Sequence, residues 1–344
     1  MTRWKNRPER STWGDFGPDD EIGRLNLITE ERRLAAVREV KVGRVFCLSL
    51  PLDLPGGNRL VPHRHPPRRG IATRAEGLPT VNFPMEVVDP HFVDVSCDDH
   101  VTLYTQYSTQ WDALSHVGRR FDADGDGVAE LVYYNGFRGG EDVVGPQDPA
   151  AATRGPGAHR LGIEKMAETC VQGRGVLVDL HARFGAARHL VTYEDLMAVM
   201  EADGVVVETG DMLCLHTGYA QALLDMGGDP DPKVLHGAYP ALDGRDDRLL
   251  QWIADSGISV LIADNFAVEG FPYPDYPEDR DRYPALPLHQ ACLFELGVHL
   301  GEIWYLTELA RWLRENGRSR FLLTAPPLRL PGSFGSPATP VATV

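Results

Sequence analysis

The fold class this sequence predicts is α/β, on three observations. Segments that read as strands alternate along the chain with segments that read as helices. The strand candidates at 213–215 and 260–263 are short apolar runs of the kind buried on both faces. The 344 residues, 43% of them hydrophobic, are ample for a packed core. No internal repeat or low-complexity linker divides the chain, so it reads as one elaborated domain over 1–344 with an N-terminal extension over about 1–40.

Residues 30–39 read as a helix with Thr29 as its cap, because a hydroxyl placed just before a helical run satisfies a free backbone N–H. Residues 45–50 read as a strand. The stretch 51–95 is rich in Pro, Gly, Arg and His and reads as long loops near a site mouth. Residues 163–170 suggest a helix leading into a strand at 176–180. Residues 192–201 are another helix, with Thr192 and Asp195 in a capping-box pattern. Residues 289–296 read as a short helix ended by Gly297, a residue suited to the left-handed position past a helix end. Residues 266–288, dense in Pro, Tyr and Asp, form a long loop feeding into His289, and loops of that length are more often functional than idle.

Charge and cysteine usage narrow the partners. With 34 basic against 49 acidic residues the net charge is -15, a surface that repels nucleic-acid phosphates and anionic lipid. Cys47, Cys97, Cys170, Cys214 and Cys292 form no Cys-x-x-Cys pair and are odd in number, which fits reduced thiols in a cytoplasmic protein. The N-terminus lacks the apolar stretch of a signal peptide, and no apolar run approaches the roughly 18 residues of a membrane span.

Two distant stretches carry acids and histidines at spacings that let them meet. In 106–112 an extended chain would put Gln106, Ser108, Gln110 and Asp112 on one side. Asp112 and His116 are four apart, so one helical turn would aim both at one point. The helix from His289 advances about 12 Å, and an extended 298–302 returns at roughly 3.3 Å per residue. Glu302 then lies near His289. Together these residues would make a one-metal hydrolytic site.

At these residues the chain resembles the cyclase family that includes bacterial kynurenine formamidases, isatin hydrolases and some polyketide ring cyclases. The family signature is His-x-Gly-Thr-His-x-Asp-x-Pro-x-His, followed by a distant His and Glu. Its first two histidines fall on Gln106 and Gln110, its Asp on Asp112 and its last His on His116. The downstream pair falls on His289 and Glu302. Segments 173–180, 210–218, 262–265 and 335–337 extend the likeness in the expected order. The resemblance implies a swivelling β/β/α layered domain, which periodicity alone does not select.

The departures from the signature shape the expected chemistry. Two-metal members hold one ion with the first two histidines and the Asp, and a second with the Asp, the last His and the distant pair. This chain has glutamine at both of the first histidines, and a neutral amide is a poor ligand beside imidazole. The resemblance therefore implies one divalent ion per chain, zinc or manganese, held by Asp112, His116, His289 and Glu302. His116 has an alternative place outside the shell as a proton shuttle. Gln106 and Gln110 would hydrogen-bond the substrate or an oxyanion.

The expected function is hydrolysis of a carbonyl C–N or C–O bond in a small cyclic or aromatic amide, imide or ester by metal-activated water. A ring-forming cyclase or dehydrating lyase using Asp112 and His116 without obligatory metal is the first alternative. A non-catalytic binding relative is the second. The resemblance also implies a homo-oligomer, a dimer or tetramer, with a small-molecule substrate.

Other side chains are weighed against plainer readings. His63 and His65 would share one face of a strand and are candidate metal ligands or substrate contacts, although their Arg-Pro surroundings suit a solvated loop. Tyr107 and Trp111 are further candidate contacts, with Trp111 on the face opposite Asp112 and better suited to the core. His216 and His299 read as structural. Residues 122–127 resemble a calcium loop, but Tyr133 stands where a bidentate Glu is required, so a tight Asp/Gly turn is the better reading. No nucleophile elbow, P-loop or dinucleotide fingerprint is present.

Overall fold

The structure is a computed structural model and describes residues 3–273, 275 and 283–344. Of the expected loop at 266–288, residues 274 and 276–282 lie outside the described residues. The main sheet takes its strands from Val45–Cys47 (β1), Gln110–Asp112 (β2), Gln172–Asp179 (β3), Met212–His216 (β4), Val260–Ala263 (β5), His299–Glu302 (β6), Arg320–Thr324 (β7), Gly335–Pro337 (β8) and Val341–Thr343 (β9). Among the described residues it is nine-stranded, in the order β1-β9-β7-β3-β4-β5-β6-β2-β8. The central run β3, β4, β5 and β6 is parallel, and β2 joins β6 antiparallel.

Alternation on the central strands explains why both faces are covered. Val176, Val178, Leu213, Leu215, Leu261 and Ala263 face one apolar cluster. The intervening Leu177, Cys214 and Ile262 face another, with Trp111 and Trp304. A parallel sheet buried on both sides carries such near-continuous apolar strands. Helices Tyr193–Ala202 (α1) and Asp247–Ser256 (α2) cover the first face through Leu196, Val199, Leu249 and Ile253. Thr307–Glu315 (α3) covers the second through Leu309 and Leu313. This mixed α/β architecture matches the layered fold expected of the chain.

Several local expectations hold with shifted ends. The first predicted helix runs Glu30–Val37, and Thr29 accepts from Arg32 N as its cap. The strand predicted at 45–50 is shortened to Val45–Cys47. The helix predicted at 163–170 ends at Glu168. Thr192 and Asp195 complete the capping box of α1. The stretch 51–95 is irregular apart from the strands Arg68–Ile71, Phe83–Pro84 and Val95–Ser96 and one 3-10 turn at Met85–Val87.

Two expectations are corrected. The segment after His289 is a π-helix, Gln290–Leu296, ended by Gly297 in the left-handed conformation at φ 62. Residues 105–109 form turns and bends rather than an extended strand, which begins at Gln110, so strand parity does not carry back to Gln106 and Ser108.

The N-terminal extension packs against this π-helix. Fully buried Trp13 donates to the Phe294 carbonyl at 2.7 Å, and Thr12 Oγ1 donates to the Leu296 carbonyl at 2.9 Å. A Cβ on Gly23, at φ 56, would lie 2.1 Å from the Gly297 carbonyl oxygen, so the extension reaches that turn only as glycine. The element that carries His289 is thus braced from a distant part of the sequence. No helix among the described residues is long and apolar enough to cross a membrane.

Candidate metal centre and its pocket

The centre forms where β2 and β6 lie side by side. Their register pairs Glu302 with Gln110 and Leu300 with Asp112, so period two puts Gln110, Asp112 and Glu302 on one face. The turn from Gly297 brings the chain back, and His289 Nε2 lies 3.0 Å from Glu302 Oε1 and 3.9 Å from Asp112 Oδ2. One donor atom each from Asp112, His289 and Glu302 fall within 4.8 Å of one another. All three side chains are buried.

The surroundings of His289 fix which nitrogen faces the centre. Glu269 accepts from His289 Nδ1 at 2.9 Å and from the His289 and Leu288 backbone N–H groups at 3.0 and 3.2 Å. Tyr273 OH donates to the same carboxylate at 2.8 Å. A carboxylate on one imidazole nitrogen orients the ring and raises the basicity of the other, as around histidine ligands of metals. Burial opposes charging of His289, but its hydrogen bonds to Glu269 and Glu302 push it up to about 10.

The carboxylates divide according to their partners. Burial raises Asp112, and its Oδ2 atom is buried with no hydrogen-bond partner. Burial also penalises the Glu302 carboxylate, but the hydrogen bond from His289 and its positive charge outweigh this and lower it. An orphaned buried carboxylate oxygen costs free energy unless a cation or proton meets it. Oxygen and imidazole donors converging on one point, with excess buried negative charge, suit a divalent ion. The residues therefore fit the metal that the sequence implies.

His116 is placed differently from the other expected ligands. Its Nε2 lies 3.9 Å from Asp112 Oδ1 and its side chain is 22% exposed. The backbone makes one turn, with His116 N donating to the Ala113 carbonyl at 2.9 Å, rather than a helix.

Gln110 stands inside the centre, 1% exposed. Gln106 is half-buried, with Thr105 Oγ1 donating to its Oε1 at 2.8 Å. Of the candidate substrate contacts, Trp111 is corrected to a core residue. It is fully buried, donates to the Ala325 carbonyl at 2.8 Å and packs edge-on to Trp304 at 4.9 Å. Tyr107 OH is held by the 51–95 loops, donating to the Gly57 carbonyl at 2.8 Å and accepting from Gly56 N. His63 is exposed, while the His65 ring lies 5.3 Å from Tyr104. His216 Nδ1 donates to Asp179 Oδ1 at 2.8 Å, and His299 is buried. The carboxylates at 122–126 are used by backbone amides of their own turn, as in Asp122 Oδ1 to Gly125 N at 2.8 Å.

Sequence reasoning missed four residues. Glu269 lay inside the irregular 266–288 stretch; its only signal is a lone acid between Val268 and Gly270. Arg64 lies between His63 and His65 in an irregular stretch. Its Nη1 donates to the Gln106 carbonyl at 2.8 Å; its charge contributes to the lowering of Glu302 and only partly offsets the burial that raises Asp112. Tyr219 OH and Asn265 Oδ1 are buried without partners. Both line a cleft of about 380 Å³, open mouth included, with Tyr239, Phe266, Glu269 and Phe271. Phe266 also lines a second cleft beside Arg64, Gln106 and Tyr107.

Two of the strained backbone positions adjoin the site. Val268 at φ 59 and Ile303 at φ 55 are β-branched residues in the left-handed region, each adjoining an acid of the centre. Such conformations cost on the order of 1–3 kcal/mol each and persist where the surrounding structure holds a functional geometry.

A solved structure described as a novel cyclase is 31% identical, with 97% of each chain covered and a TM-score of 0.72. Isatin hydrolase A from Ralstonia solanacearum is 14% identical over 91% of this chain and 97% of its own, with a TM-score of 0.53. Isatin hydrolase A from Labrenzia aggregata, bound to benzyl benzoate, is 14% identical over 92% and 99%, with a TM-score of 0.52. At that identity the two hydrolases share the fold. No curated protein sequence matches significantly. The family model described as putative cyclase matches residues 47–270, about two thirds of the length, and the chain belongs to that family.

Proposed function

We propose that this protein is a metal-dependent hydrolase of a carbonyl C–N or C–O bond in a small cyclic or aromatic amide, imide or ester. The observation that carries the reading is the buried convergence of Asp112, His289 and Glu302, with Asp112 Oδ2 left unpartnered. Those three side chains would hold one divalent ion. When bound, it supplies Lewis acidity toward a carbonyl and a lowered pKa for water.

The remaining steps belong to the chain's own groups. Glu269 holds the His289 ring so that Nε2 faces the centre. His116 takes the proton of the attacking water and returns it to the leaving nitrogen or oxygen. Burial keeps the Tyr219 hydroxyl protonated, and it donates to the carbonyl oxygen as negative charge develops there. Arg64 and Gln106 orient the polar end of the substrate from the second cleft. The aromatic lining of the first cleft suits a flat ring.

The isatin hydrolases that share the fold support hydrolysis. The cyclase family description supports the second reading, ring closure or dehydration by Asp112 and His116. Turnover of lactams, lactones and formyl-anilines in ¹⁸O-water separates them. Hydrolysis puts one solvent oxygen into the product, whereas turnover without label would refute the hydrolase reading.

We also propose a homo-oligomer, from the exposed apolar side chains of the 68–102 arm. Val87, Val93 and Val95 there are 59%, 93% and 62% exposed. A single-chain mass in sedimentation at micromolar concentration would contradict it.

A further inference from the structure

The Gln110 amide can sit in its cavity in two ways that exchange its oxygen and nitrogen, and the surrounding atoms discriminate between them. In one, Nε2 donates to Asp112 Oδ1 and Glu302 Oε2, both at 3.3 Å. These contacts are long for N–H···O bonds, and they leave Oε1 facing the Gln106 and Ser108 backbone carbonyls. In the other, Nε2 donates to the Gln106 carbonyl at 2.8 Å and the Ser108 carbonyl at 3.0 Å. Both amide protons are then used at good distances. Oε1 is left beside the carboxylate oxygens of Asp112 and Glu302, where acceptors alone would repel.

That second arrangement is stable only if something positive lies among the oxygens. We infer that Gln110 is itself a ligand of the divalent ion through Oε1, its amide locked in place by the carbonyls of Gln106 and Ser108. The inference rests on the metal-centre reading and deepens it. The turns and bends at 105–109 before β2 leave the Gln106 and Ser108 carbonyls facing the Gln110 amide.

The donor set becomes three oxygens, from Asp112, Glu302 and Gln110, with one nitrogen from His289. A set richer in oxygen shifts preference toward harder ions such as Mn²⁺, whereas imidazole in place of Gln110 favours zinc. The glutamine is thereby a selectivity device for the ion.

The test uses the full-length protein and Mn²⁺ itself. Free Mn²⁺ is followed by electron paramagnetic resonance during titration of wild type, Gln110→Ala and Gln110→His. Wild type should bind near one ion, Gln110→Ala should bind about tenfold more weakly or worse, and Gln110→His should favour Zn²⁺ over Mn²⁺ in competition. Wild type grown with carbonyl-¹³C glutamine should also show a ¹³C hyperfine coupling to bound Mn²⁺ that Gln110→His lacks. That measurement decides the matter even if Gln110→Ala fails to fold. Unchanged affinity in Gln110→Ala, or no such coupling, would overturn the inference and leave the metal centre standing. Absence of Mn²⁺ and Zn²⁺ binding by wild type would overturn the centre and this inference together.

Discussion

Replacing Glu269 by glutamine isolates the part of the site that no ligand assignment describes. The carboxylate accepts from Tyr273 OH, Leu288 N, His289 N and His289 Nδ1. An amide oxygen placed toward His289 keeps two of these bonds, while the new NH₂ meets Tyr273 OH, which already accepts from Gly244 N and loses the acceptor of its own proton. The Leu288 N–H then has no acceptor, and an orphaned buried donor costs about 1–3 kcal/mol. The imidazole also loses the charge that raised the basicity of its other nitrogen, so ion affinity should fall roughly 10- to 100-fold, or about 1.4–2.7 kcal/mol. Competition against a chromophoric chelator gives the affinity, and urea unfolding of the chelated protein gives the stability. Wild-type ion affinity in Glu269→Gln would refute the role of Glu269 in orienting His289.

Other perturbations follow from the same geometry. His289→Ala should lower ion content and turnover together, whereas exposed His63→Ala should leave ion content unchanged by elemental analysis. Arg64→Ala should keep the ion but lose about 1.5–3 kcal/mol of transition-state binding, a drop in kcat/KM of one to two orders of magnitude; unchanged kcat/KM would remove Arg64 from the pocket. Trp111→Ala should destabilise by about 3–5 kcal/mol through the cavity it leaves, and wild-type unfolding would contradict its core assignment. Hydrogen bonds from Arg32 and Arg174 hold Glu208 down to about 2. Its folded value lies below the unfolded one, so its stabilisation is complete above roughly pH 4.5 and drains away as pH falls toward 2. Glu208→Gln should flatten the urea midpoint across that window, and an unchanged profile would rule this out.

What was legible in the sequence was whatever depends on short spacing. Thr192 and Asp195 declare a capping box within four residues. The helix, Gly297 and strand that return Glu302 to His289 lie within one supersecondary unit, where helical rise and strand rise suffice. Gln110 and Asp112 share a face by strand parity. Glu269 was not legible, because its role appears only when a strained loop closes on the start of the π-helix from outside that unit. Arg64 was not legible because it lies in an irregular stretch whose path to the Gln106 carbonyl no local periodicity records. The α2 and α3 segments went unassigned although both are amphipathic. The expected extension of 106–109 failed because Thr109 is tied to the Ile303 carbonyl and the Leu50 N–H, contacts that bend the chain and that no local pattern records.

The central claim is that one buried site per chain holds one divalent ion. Elemental analysis of protein purified without added metal, normalised to chain concentration, tests it most directly. The account predicts close to one Mn or Zn per chain, lost in His289→Ala. Two tightly held ions per chain, or one ion retained by His289→Ala, would contradict it.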